Sequence, residues 1–144
     1  MDPYADPSFL VGVYSPEPDS VKALQWLQRH REPLPFTPFH RHEVRNAIRL
    51  RVFRGDITPE QRKRAFEEIE EDLTDGILVH TTVPWTNAFR ESEDLAAAHN
   101  ETLGVRSIDL LHVGLALSLK TKEFLTFDTR QAKLAKAAGL RVMP

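Results

Sequence analysis

Residues 107–128 read SIDLLHVGLALSLKTKEFLTFD. From Ile108 to Leu119 apolar side chains occupy nearly the whole circumference of a helix, and Asp109 is the only charge among them. A helix that is apolar all round belongs in the middle of a fold. Glu123-Phe124-Leu125-Thr126-Phe127 then has the aromatic and branched character of a strand. Asp128 or Thr129 can begin a further helix, Gly139 stops it, and Leu140 to Met143 closes the chain as another strand. A buried helix set between strands points to a layered α/β fold with a mainly parallel sheet.

The rest of the chain follows the same alternation. Tyr4-Ala5-Asp6 ends a first strand, and Ser8 to Tyr14 after it is too apolar for a surface segment. Pro16 and Pro18 break the chain; Asp19 or Ser20 caps a helix to about Arg31. A brief strand is expected at Leu34–Thr37 and a long helix from about Phe39 to Arg54. Thr58-Pro59-Glu60-Gln61 carries a capping box with proline in the first turn, so a helix is predicted from there to about Asp72. Ile77–Thr81 reads as a strand, Pro84 opens a helix reaching about Thr102, and Ser107 is the expected N-cap of the apolar helix.

The chain has 144 residues, a length that suits one domain over 1–144. It contains no cysteine, which excludes disulfides, thiolate metal sites and cysteine nucleophiles. No apolar run is long enough for a membrane helix, and the acidic start does not resemble a signal peptide, so a cytoplasmic protein is expected. The net charge of −2 conceals a split. Arg29 to Arg64 holds ten Lys/Arg against four Asp/Glu, whereas Ala65 to Asp109 holds two against eleven. Such a division suggests one face for an anionic partner, unless it reflects only two solvated helix faces.

The phosphate-binding and nucleophile motifs GxGxxG, GxxxxGK[ST] and GxSxG are absent. Four acids stand out instead. Asp6 and Asp128 end strands, and Glu43 and Asp109 lie near helix starts. In a parallel α/β sheet those places share the carboxyl edge, where ligands bind. Taken singly, Asp128 could be an N-cap, Asp109 a helix-dipole partner, Glu43 the partner of an arginine and Asp6 a turn residue. Together they would repel one another, and a divalent cation relieves that repulsion. An all-oxygen set favours Mg²⁺ or Mn²⁺. His40 and His42 face different directions on their helix and make a poor metal pair. His112, one turn after Asp109, either hydrogen-bonds near the site or is a satisfied core histidine.

These residues resemble the PIN-domain ribonucleases, in particular the VapC-like toxins of prokaryotic toxin–antitoxin pairs. The resemblance rests on Tyr4 to Leu10, Glu43 with Asn46-Ala47, Arg106 to Val113, Phe124 to Asp128 and Ala138 to Val142. It implies a three-layer sandwich with a central, mainly parallel sheet flanked by helices. It also implies Mg²⁺ (or Mn²⁺) held by Asp6, Glu43, Asp109 and Asp128, with the hydroxyls of Ser8 and Thr126 beside the metal. Pro7 stands where the family often has threonine. The implied activity is metal-assisted endonucleolytic hydrolysis of RNA, and the implied partners are RNA, an antitoxin protein and a second copy of the chain. The basic helix supplies Arg41, Arg45, Arg49 and Arg51 as candidate RNA contacts. Phe9, Trp26 and Leu27 are apolar groups that one core of this size is not expected to bury fully, which also points to a homodimer. Two other classes stay open: a metal-dependent phosphatase of another acidic-cluster fold, although Ser8 stands where a second aspartate would be needed, and a PIN-like module that binds RNA or protein without cleaving.

Overall fold

Asp6 and Asp128 take their positions from five short strands that pair only in parallel among the described residues, 2–144 of a computed structural model. β1 (Pro3–Ala5), β4 (Glu123–Leu125) and β5 (Arg141–Met143) form one ladder with β4 in the middle; β2 (Leu34–Phe36) and β3 (Leu78–His80) form another. β1 lies beside β2, so the two ladders adjoin. Side-chain alternation along the strands builds a core on each face. Ala5 and Leu125 pack with Phe9, Trp26, Ile48 and Ile69 from α1 (Pro7–Tyr14), α2 (Ser20–Arg29), α3 (Pro38–Phe53) and α4 (Pro59–Thr74). Tyr4 and Phe124 face the other way, onto Ala88 of α5 (Trp85–Leu95), Val113 and Leu115 of α7 (Ser107–Ser118) and Leu134 of α8 (Thr129–Ala137). The expected three layers are present.

Several local expectations change. Phe9 and Trp26 are buried within this chain, and Leu27 is partly buried against the same core, so they give no reason for a second copy. Asp6 is the N-cap of α1, with Pro7 in the first turn, where a proline costs no hydrogen bond. The helix expected from Pro84 to Thr102 is present as one continuous helical run from Trp85 to Leu103, but with a wide π turn inside it: α5 ends at Leu95, the π turn covers Ala96–Asn100, and a single turn, α6, covers Glu101–Leu103. The Asn100 side chain then clamps Val105, accepting from its N–H at 2.7 Å and donating to its carbonyl at 3.1 Å. Gly104, at φ +65°, makes the left-handed turn between them. Ser107 does not cap α7; it is the first helical residue, and the extended Arg106 precedes it without a capping side chain. Thr126 and Phe127 lie just beyond β4: the Thr126 N–H still donates to the Met143 carbonyl, while its hydroxyl donates to Asp6, the residue after β1.

His40 joins the two ladders. It closes a capping box with Thr37 and reaches across so that Nε2 meets the carbonyl of Ala5 at 3.0 Å. Complete burial, and then the nearby His112, push its pKa down to about 3, so it is neutral. Unfolded histidine takes up its proton near pH 6.5. The unfolded chain therefore binds a proton that the fold refuses, and the stability this implies is present above pH 6.5 and lost as pH falls towards 3. The loss should approach about 1.4 kcal/mol per pH unit. His40→Gln should be less stable than wild type at pH 7, and urea unfolding should show that gap narrowing by pH 5. A gap of constant size would contradict the assignment.

Gly114 sets how closely α5 and α7 approach. A Cβ there would lie 2.3 Å from Ser92 Oγ and 2.7 Å from the Ala88 carbonyl oxygen. Gly114→Ala is expected to lower stability by about 1–3 kcal/mol, the usual range for overpacking. An unchanged urea midpoint would contradict it.

Candidate metal-binding active site

The site is built outward from Asp6. Its backbone N–H donates to the Leu125 carbonyl, so the residue continues the β1–β4 ladder to the carboxyl edge. The side chain is buried. Oδ1 accepts from Ser8 Oγ at 2.6 Å and from the Phe9 N–H at 3.1 Å, and Oδ2 accepts from Thr126 Oγ1 at 2.6 Å. The same hydroxyls hold the second loop: Ser8 Oγ accepts the Phe127 N–H and Thr126 Oγ1 the Asp128 N–H. Burial raises the pKa of Asp6, against the pull of these hydrogen bonds and of nearby His112.

Glu43, half-buried on α3, faces His112 of α7: Oε1 lies 3.4 Å from Nε2, an ion-pair distance with poor hydrogen-bond alignment. The Tyr4 hydroxyl, kept protonated by burial, shares a hydrogen bond of 2.8 Å with His112 Nδ1. The contact with His112 holds the Glu43 carboxyl below its ordinary value. Asp109, in the first turn of α7, is engaged by Arg106: Nε stands 3.2 Å from Oδ2 and Nη2 3.5 Å from Oδ1. Asp128 caps α8, its Oδ1 accepting from the N–H groups of Arg130 and Gln131. Asp109, Asp128 and Glu43 all act on the Arg106 guanidinium and raise its pKa, Asp109 most strongly.

The four acids thus share one edge, each turned to a partner of its own. Among the described residues no three His, Asp or Glu side chains form a ready-made cage for an ion. Like charges left uncompensated repel, and here hydroxyls, an imidazole, a guanidinium and helix N–H groups compensate them separately. Their donor chemistry fits a hard divalent cation: carboxylates and hydroxyls only, one carboxylate buried at a cost to its charge, and an exposed guanidinium already paired with Asp109. The arginine expected beside Glu43 is not its main partner; His112 is. Tyr4 and Arg106 entered the sequence reading only as the first residues of two stretches that carry the resemblance, not as site residues.

The four candidate RNA-contact arginines do not make one track. Arg41 is paired with Glu70 of α4 at 2.6 Å, and Arg45 is 3.9 Å from the same carboxylate. Arg45 and Arg49 also sit over the Phe66 ring, at 4.0 and 4.9 Å. These three hold the acidic helix. Arg51 points elsewhere, donating to Ser15 Oγ, and with Arg54 lines a groove of about 480 Å³ that includes Ser8, Phe127 and Asp128. Glu17, Asp19 and Asp56 line its other parts.

The PIN domain family model matches residues 4–137, so the chain belongs to the PIN-domain family, and the resemblance seen in the sequence holds at that level. No curated protein sequence is significantly similar to it. Among solved structures it is similar to FitAcB from Neisseria gonorrhoeae, with a TM-score of 0.60 and 14% identity over 99% of this chain and 96% of that one. PIN domains are generally nucleases that use divalent metal ions. A phosphatase of another acidic-cluster fold is thereby set aside. Among the described residues no helix is long and apolar enough to cross a membrane.

The net penalty on the Asp6 charge generates a prediction. Asparagine caps helices as well as aspartate does, so Asp6→Asn keeps the bonds from Ser8 and the Phe9 N–H on its one oxygen and removes the buried charge together with the bond that Thr126 donates to Oδ2. Without metal at pH 7 it should melt with the wild type or a few degrees above it, about 1 kcal/mol corresponding to roughly 2–8 °C for domains of this general size. A clear fall in melting temperature would show that the hydrogen bonds outweigh the burial.

Proposed function

We propose that this chain is a metal-dependent endoribonuclease and the toxin of a VapC-like toxin–antitoxin pair. The observation that carries the reading is the buried Asp6 carboxylate, aimed by Ser8 and Thr126 at an edge shared with Glu43, Asp109 and Asp128. These four residues would hold Mg²⁺ or Mn²⁺. When bound, such an ion polarises a phosphate and lowers the pKa of water. The chain does the rest. Ser8, Thr126 and the Phe9 N–H fix Asp6; the bond to Tyr4 holds the His112 ring in place beside Glu43. His112 keeps Glu43 ionised. The net reaction is attack of water on phosphorus with loss of a ribose oxygen, leaving two RNA ends.

RNA would approach along the groove between α1 and α3. Arg51 and Arg54 supply phosphate contacts there, in place of Arg41, Arg45 and Arg49, which serve α4. Such contacts position the strand and do not select its sequence. An antitoxin would be the protein partner and the cytoplasm the place of action. A homodimer has a candidate surface in the exposed, stacked rings of Trp85 and Phe89.

Cleavage of single-stranded RNA should rise with added Mg²⁺ and stop with EDTA. Asp6→Asn, Glu43→Gln, Asp109→Asn and Asp128→Asn should each lose more than the roughly 10–100-fold typical of losing a residue that only supports a metal ligand. Cleavage that persists in EDTA, or full activity in Asp6→Asn, would overturn the reading.

A further inference from the structure

Arg106 is placed as no other cation in the site is. Its side chain is 75% exposed, whereas that of its partner Asp109 is 16% exposed. The residue is extended, just outside α7, and the carbonyl it contributes accepts from the N–H groups of Asp109 and Leu110. The Asn100 clamp on Val105 fixes the chain immediately before it. The backbone is therefore held and the guanidinium is free to swing. Its two contacts to Asp109, at 3.2 and 3.5 Å, are longer than the usual charge-assisted bond. Exposed ion pairs of this kind are weak and readily exchanged.

A divalent ion and a guanidinium cannot share the Asp109 carboxylate without repulsion. We propose that Arg106 is a further active-site residue: it is the internal cation that neutralises Asp109 until a divalent ion takes its place, and once displaced it is a ligand for the substrate phosphate. The first step concerns this chain and an ion alone. The second rests on the nuclease reading above. The arm reaches from the rim of the site into solvent, and the planar fork of arginine suits a phosphate bearing two free oxygens. No bond is made or broken; one ion pair is exchanged for another.

The test has two arms. In the first, Mn²⁺ affinity is measured by electron paramagnetic resonance of the free ion, without RNA, for wild type, Arg106→Ala, Arg106→Gln and Arg106→Lys. Removing the competing cation should tighten Mn²⁺ binding about 1.5- to fivefold in the Ala and Gln variants, the size expected of an exposed ion pair. Arg106→Lys should stay near wild type. Unchanged or weaker Mn²⁺ binding in both neutral variants would overturn the counter-ion role. In the second arm, a labelled single-stranded RNA is titrated by fluorescence anisotropy at saturating Ca²⁺ over a range of salt. Arg106→Ala should bind more weakly, with a log–log salt slope shallower by about 0.7, the value for one phosphate contact on a single strand. Arg106→Lys should recover part of that slope. An unchanged slope in Arg106→Ala would overturn the phosphate role. Failure of the wild type itself to bind RNA would overturn the nuclease reading and the phosphate role with it, leaving the Mn²⁺ arm to decide the counter-ion role.

Discussion

Burial of one carboxylate organises the carboxyl edge of this molecule. Asp6 ends β1 and starts α1, and its two oxygens gather Ser8, the Phe9 N–H and Thr126. Through the same two hydroxyls it fixes the turn that carries Phe127 and Asp128. A buried charge is tolerated only when its lone pairs are satisfied, and here that satisfaction joins two loops that are distant in the sequence. The ladder beneath is short, three residues a strand, so the side-chain ties at its edge carry much of the definition of the site.

A second set of contacts, around His112, holds the other side. Tyr4 projects from β1 to the face opposite Ala5 and meets His112, which meets Glu43. Phe39 stacks on the same imidazole, 4.2 Å between ring centres. His40 then ties α3 to β1 from beneath. Asp6 and Glu43 are thus both referred to β1, one through its own backbone and the other through Tyr4 and His112. Asp109 and Asp128 stand at helix starts, where a negative charge is favoured in its own right. An N-cap or a dipole partner is in itself a structural reason for an acid to lie at that edge.

The layered α/β fold was legible because the apolar helix Ile108–Leu119 admits only a central position and because Gly, Pro and capping residues mark most element ends. Asp109 and Asp128 stood out for a related reason: a charge inside SIDLLHVGLALSL, or directly after FLTF, is costly to bury unless a cap, a counter-charge or an ion meets it. The partners of each acid were not legible. Whether Glu43 meets an arginine or a histidine depends on the distance between α3 and α7, which no local pattern encodes. The partners of the basic stretch were hidden for the same reason: Arg41, Arg45 and Arg49 read equally as RNA contacts or as holders of the acidic stretch, and only the packing of α3 on α4 sets them against Phe66 and Glu70. The π turn at Ala96–Asn100 lies within a run of ordinary helix formers, and the clamp of Asn100 on Val105 is a contact made across a turn.

The central claim is that one cation position lies among Asp6, Glu43, Asp109 and Asp128. Anomalous diffraction from crystals of the protein soaked in Mn²⁺ tests it most directly. An anomalous peak is expected within coordination distance of Asp6 and at least one of the other three carboxylates, with Asp109 turned away from Arg106. A peak at other residues, or none at Mn²⁺ concentrations that support RNA cleavage, would contradict it.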